Sequence, residues 1–306
     1  MNEEESEINT YIKEKLMNSK IKDKRKNEII EIILINSPSK DNFNKNNISI
    51  ALNNKNPVLP FISDFTNNKI DSNLIVISKD LIMVLTKIIY NEEDKYAENI
   101  IIPDLKKEYI KNNFHNFIIE NNEGKNIISI IKLINAELFF DNYFEIEPYL
   151  DISLEEKFII DNNKEKIFKE NDTINDFNIG TPIIIKKNNK QYLVGIINNN
   201  NQYHLFNEKE LIEIKKNIDL VEIKYKISQV KKLDFHNKMM NDDEIIFISQ
   251  YNFNELLYLN LENSNITNEG LIGLQNKSLE NLKYLNLSKN EINDEGLEYL
   301  NYLKSL

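Results

Sequence analysis

A period of 26 residues near the C-terminus limits what this chain can fold into more than any other feature. Val230-Lys231-Lys232-Leu233-Asp234-Phe235, Leu256-Leu257-Tyr258-Leu259-Asn260-Leu261 and Leu282-Lys283-Tyr284-Leu285-Asn286-Leu287 share an apolar-x-x-apolar-x-apolar core. An apolar residue recurs after each core, at Met240, Ile266 and Ile292, and the segments TNEGL and NDEGL end at Leu271 and Leu297. A unit of this size cannot bury its apolar face alone, so successive units must stack, and about three are needed. The last two apolar residues of each core alternate on a short strand and point inward. Asn290 is suited to satisfy backbone groups in the bend that follows; Ser264 and Lys238 stand at that place in the other repeats, which predicts looser turns there.

These residues resemble a leucine-rich repeat, whose periods run over roughly 20–29 residues. The resemblance implies a short α/β solenoid over residues 221–306. Leu303 to Leu306 reads as a fourth repeat cut off without a polar cap, as in a truncated gene product or a solenoid closed by another chain. An apolar face at Leu300, Leu303 and Leu306 and self-association through the uncapped repeat are therefore expected. The outward strand positions Lys232, Asp234, His236, Tyr258, Asn260, Glu262, Tyr284, Asn286 and Ser288 form a stripe on the concave face and are the candidate protein-binding residues. Tyr258 and Tyr284 fit a contact patch, because tyrosine supplies apolar area and a hydroxyl at low entropic cost. They fit equally a stack that only stabilises the solenoid.

Upstream the pattern changes. Residues 2–18 place Ile8, Tyr11, Ile12, Leu16 and Met17 at amphipathic spacing, and KIKDKRK at 20–26 reads as a solvated linker. The domain limits expected are thus a helical extension at 1–28, a β domain at 29–220 and the repeats at 221–306. From about 29 to 206 short β-branched runs alternate with polar turns, among them IIEIILI, ISIAL, NLIVIS, NIII, FHNFIIE, NIISIIKLI, FEIEPYL, TPIIIKK, QYLVGIIN and YHLF. Many short strands with little helix between them predict an antiparallel barrel or sandwich. TPIIIKK-NN-KQYLVGII is the cleanest hairpin, since Asn188 and Asn189 tolerate the positive φ of a tight primed turn. Asn207, with Glu210 three residues later, predicts a capping box and a helix closing the β region.

Three segments of this region are similar to chymotrypsin-like serine proteases. Ile77 to Tyr90, followed by Tyr96-Ala97-Glu98-Asn99-Ile100, looks like the strand and short helix that carry the histidine. Asp141-Asn142-Tyr143-Phe144-Glu145-Ile146 stands where the aspartate segment falls. Phe177-Asn178-Ile179-Gly180-Thr181-Pro182-Ile183-Ile184, followed by Tyr192 to Ile196, is similar to the serine motif and the strand pair after it. The resemblance covers roughly residues 30–218 and implies a mainly β, trypsin-like double barrel ahead of the solenoid. It also implies a lost triad: Lys87, Asn142 and Ile179 occupy the histidine, aspartate and serine positions. An isoleucine has no oxygen to attack a carbonyl. Phe177 replaces a glycine, which makes the oxyanion turn harder to form.

Composition narrows the chemistry further. Without cysteine there are no disulfides, thiolate metal sites or cysteine nucleophiles. His115, His204 and His236 are the only imidazoles, and nothing in the spacing joins His204 to Ser129. Arg25 is the sole arginine in a chain of net charge −11, a poor composition for nucleic-acid binding. Asp161, Asn163, Glu165 and Asp172 imitate a calcium-loop outline, but Lys166 stands where that loop requires glycine. No apolar run reaches membrane-spanning length, and the acidic start is unlike a signal peptide, so a cytoplasmic location is expected. Together these readings lean away from an enzyme and towards a protein or peptide partner, with no cofactor, metal, nucleic acid or membrane. The alternatives are an active serine endopeptidase with displaced catalytic groups and a leucine-rich-repeat scaffold carrying an unrelated β domain.

Overall fold

The computed structural model describes residues 21–37, 50–52, 57–65, 68–78, 80–91, 95–97, 99–102, 107–110, 117–120, 127–133, 138–140, 143–150, 155–161, 164–169, 177–199, 202–275 and 279–303. The expectations for residues 2–18, His115, Asn142 and Leu306 lie outside the described residues. The chain forms two compact units, residues 44–222 and residues 1–43 with 223–306.

The first unit is mainly β. Its seven-stranded antiparallel sheet runs Lys107–Ile110, Asn99–Ile102, Val58–Phe65, Asn68–Val76, Leu81–Leu85, Ile128–Leu133, Phe117–Glu120. A five-stranded antiparallel sheet runs Lys164–Phe168, Lys157–Asp161, Pro182–Lys187, Lys190–Asn199, Gln202–Leu205. Among the described residues no pairing joins the first strand of either sheet to its last. The described pairings trace two sheets of seven and five strands and do not by themselves show the double barrel that the resemblance implied. Apolar side chains of both sheets, including Leu74, Met83, Ile130, Ile184 and Ile196, share one core with Leu211, Ile214 and Val221 of the helix Glu208–Ser228.

Local chemistry accounts for several elements. Asn188 and Asn189 adopt φ of 52° and 61° at the tip of the expected hairpin. The Asn207 carboxamide accepts from the Glu210 N–H at 3.0 Å while the Glu210 carboxylate accepts from the Asn207 N–H at 2.9 Å, so the capping box forms. FEIEPYL is not a strand; only an isolated bridge joins Glu145 to Tyr192. In the calcium-loop outline, Lys157–Asp161 and Lys164–Phe168 pair as a hairpin, and Glu165 binds Lys186.

In the second unit the strands Lys232–Asp234, Tyr258–Asn260 and Tyr284–Asn286 form a parallel sheet in which every residue pairs with the one 26 positions on. The helices Asp242–Ile248 and Asn268–Ile272 and the 3-10 helix Asp294–Tyr302 follow their respective strands. Val230, Leu233, Phe235, Leu256, Leu259, Leu261 and Leu282 are buried in the core between strands and helices. Leu303, expected to be exposed, is instead buried: the 3-10 helix Asp294–Tyr302 turns it inward, and its N–H donates to the Leu300 carbonyl at 2.9 Å.

IIEIILI corrects the expectation of a strand. It belongs to the helix Asp23–Ile35, whose Ile29 and Ile33 are fully buried in the same core as Val230 and Met240. Alternation and helical periodicity are hard to separate in a short apolar run, and here packing at a four-residue spacing won. KIKDKRK is accordingly no solvated linker: from Asp23 onward it is the first turn of this helix, with Arg25 bonded to Glu244 at 2.7 Å and to the Lys238 carbonyl at 3.1 Å.

Candidate functional site

The nine candidate residues of the repeats come together on and just beyond the parallel strands, because a 26-residue period brings equivalent positions into adjacent strands. Tyr258 and Tyr284 are stacked, with centroids 4.4 Å apart and planes 1° from parallel. The Lys232 ammonium lies 4.6 Å from the Tyr258 centroid, so one column reads cation, ring, ring. Burial and the neighbouring Tyr284 push the Tyr258 hydroxyl above its usual pKa.

The next column is a hydrogen-bond ladder. The Asn260 carboxamide donates to the Asp234 carboxylate at 3.1 Å, and the Asn286 carboxamide donates to Glu262 at 3.2 Å. Glu262 also meets Lys289 at 2.7 Å and His236 at 3.5 Å. The bond from Lys289 above all holds the Glu262 carboxyl below its ordinary range. Asn286 accepts from the Ser288 hydroxyl at 2.7 Å. Asn260 itself is buried, so of the nine candidates it serves the ladder and not the solvent face; Tyr284 is 45 % exposed.

The bends after the strands carry residues outside the nine candidates. Asn237, Asn263 and Lys289 occupy left-handed backbone with φ of 57°, 53° and 58°, again at the same period. Asparagine relieves that conformation through its short polar side chain. Asn clusters are so common in this sequence that the signal went unread, although the shared 26-residue spacing of Asn237 and Asn263 would have exposed it. Asn290 acts as expected and reaches further: its carboxamide donates to the carbonyls of Leu261 and Leu287 at 2.7 and 2.9 Å and accepts from the N–H groups of Ser264 and Ile266. The Ser264 hydroxyl donates to the Phe235 and Glu262 carbonyls at 3.3 and 3.4 Å.

In the sheet unit, Lys87 and Gly180, the residue after Ile179, bond successive carbonyls of the strand Lys190–Asn199. Lys87 lies in the short helix Thr86–Ile89 and its ammonium donates to the Asn198 carbonyl, while the Gly180 N–H beside Ile179 donates to the Ile197 carbonyl. Desolvation lowers the Lys87 pKa. Around Gly180, at φ 86°, the Asn73 N–H donates to the Ile179 carbonyl at 2.8 Å and the Asn73 carboxamide to Thr181 at 2.9 Å. His204 and Ser129 are not brought together: His204 pairs with Glu210 at 2.8 Å, and Ser129 shares a buried 3.0 Å hydroxyl contact with Thr86. Among the described residues no group of three His, Asp or Glu side chains is disposed to hold a metal, and no helix is long and apolar enough to cross a membrane.

Comparison with known proteins bears on the repeats most directly. The Leucine Rich repeat family profile matches residues 255–274 and 278–300. No curated protein matches the sequence significantly. Among solved structures, the protease of tobacco vein mottling virus is similar at 14% identity and a TM-score of 0.33, over 51% of this chain and 79% of that one. An inactive mutant form of Rv3671c from M. tuberculosis is similar at 10% identity and a TM-score of 0.30, over 54% of this chain and 87% of that one.

Proposed function

We propose that the chain is a non-catalytic protein-binding protein: a trypsin-like β unit without its triad, joined to leucine-rich repeats that supply the recognition surface. The observation that carries this reading is the parallel strand register, which displays Lys232, Tyr258 and Tyr284 as one column beside the Asp234, Asn260 and Asn286 ladder. Stacked rings whose polar neighbours are already fixed lose little freedom on binding, so they offer apolar area at low entropic cost. A protein or peptide partner fits that surface better than a nucleic acid, given a net charge of −11 and a single arginine that is engaged by Glu244. Cytoplasmic residence is part of the same proposal.

Loss of the triad is supported by side chains that cannot perform it. At the serine-equivalent position Ile179 offers only a backbone carbonyl, which accepts from the Asn73 N–H, and Lys87 is turned to a backbone oxygen. Treatment of the full chain with a serine-reactive phosphonate is the test: no labelled residue is expected, and stoichiometric labelling of any serine sinks the non-catalytic reading. For the binding face, a partner selected from a displayed protein library should lose affinity at least about tenfold with Tyr284→Ala, as truncation of a central aromatic anchor does. Unchanged affinity for every selected partner would overturn the assignment of the stripe.

A further inference from the structure

The register of the repeats sets one edge of the concave face apart from the rest. One residue ahead of the tyrosine column, Lys231, Leu257 and Lys283 recur at the 26-residue period. The backbone ties them side by side: the Leu257 N–H donates to the Lys231 carbonyl and the Lys283 N–H to the Leu257 carbonyl, both at 2.9 Å. Backbones paired in this way lie about 5 Å apart. Both lysines are exposed, and Leu257 between them is 37 % exposed. With Lys232 of the next column, three ammonium groups border an apolar patch made of Leu257 and the Tyr258–Tyr284 stack.

These three cations stand out in a chain of net charge −11. Elsewhere in the unit Arg25 is paired with Glu244 and Lys289 with Glu262, both at 2.7 Å. Among the described residues no carboxylate lies within ion-pair distance of Lys231, Lys232 or Lys283. Two positions further along the strand from Lys232 the sign reverses. The exposed Asp234 carboxylate accepts from the His236 N–H and the Asn260 carboxamide, both at 3.1 Å, and has no cation beside it among the described residues. The face is therefore polarised across the rings, cationic where the strands begin and anionic beyond.

Taking the concave face as the binding surface, we propose that its cationic edge recognises an acidic, amphipathic segment of the partner protein. An apolar side chain of that segment sits on Leu257 and the tyrosine stack, and carboxylates on either side of it meet Lys231, Lys232 and Lys283. An exposed ion pair is a weak contact, so no single lysine decides the binding; three acting on one segment do. A nucleic acid, the other polyanion that lysine and tyrosine attract, fits less well. Lys232 and Tyr284 cover the two faces of the Tyr258 ring, which leaves no room there for a base to stack. Asp234 repels a phosphate chain crossing the rings, whereas a peptide can keep its carboxylates on one side.

A displayed library of random peptides, panned on the full chain, tests this. The expected binders carry an apolar residue flanked by Asp or Glu, and lose affinity at least about tenfold when those acidic residues become Asn or Gln. Lys231→Glu combined with Lys283→Glu, at two exposed positions, should weaken the same binders at least about tenfold. Lys209→Glu, at an exposed position of the β unit, should leave them within about twofold. Neutral or basic binders overturn the proposal, as does an oligothymidylate that binds more tightly than any peptide. Binders weakened by Tyr284→Ala but not by the paired lysine reversal overturn it while the concave face stands as the binding surface. Binders indifferent to Tyr284→Ala, or a library that yields none, remove that surface and this proposal together.

Discussion

The two units hold together over very different sequence distances. In the repeats the ties are periodic: Asn260 to Asp234, Asn263 to Asn237 and Ser264 to Asn290 each span 26 residues. In the sheet unit they are long-range and unrepeated. Asn73 meets Thr181 across 108 residues, and the buried Lys132 ammonium lies 2.6 Å from Asp80 and 2.9 Å from Glu222, 52 and 90 residues away. A periodic tie is one rule applied several times, so a single loss is local and its effect can be read from its neighbours. A unique tie has no second copy, and its loss falls on the whole unit.

Gly180→Ala should break the comparison most visibly. At φ 86° a Cβ would run into the Asn73 carbonyl and the Ser72 hydroxyl, and the two costs together amount to roughly 3 kcal/mol. Calorimetry should show the β unit melting earlier with the repeats unchanged; a shift in both would deny that the units lose stability separately. Asn290→Ala comes next, because it strips partners from three carbonyls and two N–H groups of adjacent coils, a loss of about 2 kcal/mol in the repeats alone.

Lys132→Met sharpens the contrast at high pH. Burial pulls the Lys132 pKa down, but Asp80 and Glu222 more than reverse this, so the folded value lies above the ordinary one. Its stabilisation is therefore complete below the ordinary lysine pKa and is lost as pH rises through the folded value. The variant should be less stable by about 1–2 kcal/mol at neutral pH, since both carboxylates keep some access to water, and should lack the alkaline loss. The smallest effect belongs to Glu262→Gln. With its pKa depressed by Lys289, Glu262 stabilises above the ordinary carboxylate pKa and loses this as pH falls through the depressed value. Urea titrations of wild type and variant should converge in acid, and a constant gap between them would contradict that role.

Much of the repeat unit was legible beforehand, down to the inward leucines, the Met240 and Ile266 positions and the bridging role of Asn290. The stripe was legible as positions but not as chemistry: whether Tyr258 and Tyr284 stack depended on a strand separation and a rotamer that no spacing encodes. In the sheet unit the Asn188-Asn189 hairpin and the Asn207 capping box could be read because each depends on residues within a few positions of one another. The hairpin of Val58–Phe65 with Asn68–Val76 went largely unread, since Pro60 and the polar Ser63 and Asp64 interrupt its alternation.

By itself, then, the sequence determined whatever a short-range or periodic rule controls: the repeat register, the turns, the caps and the absence of sulfur chemistry. Tertiary structure alone decided that IIEIILI is a helix closing one end of the repeats, that Lys132 is neutralised from two distant elements, and that Leu303 turns inward while Leu297 faces out. Each of those outcomes depends on which apolar surface was left to cover, and that is settled only when residues far apart in the chain are packed together.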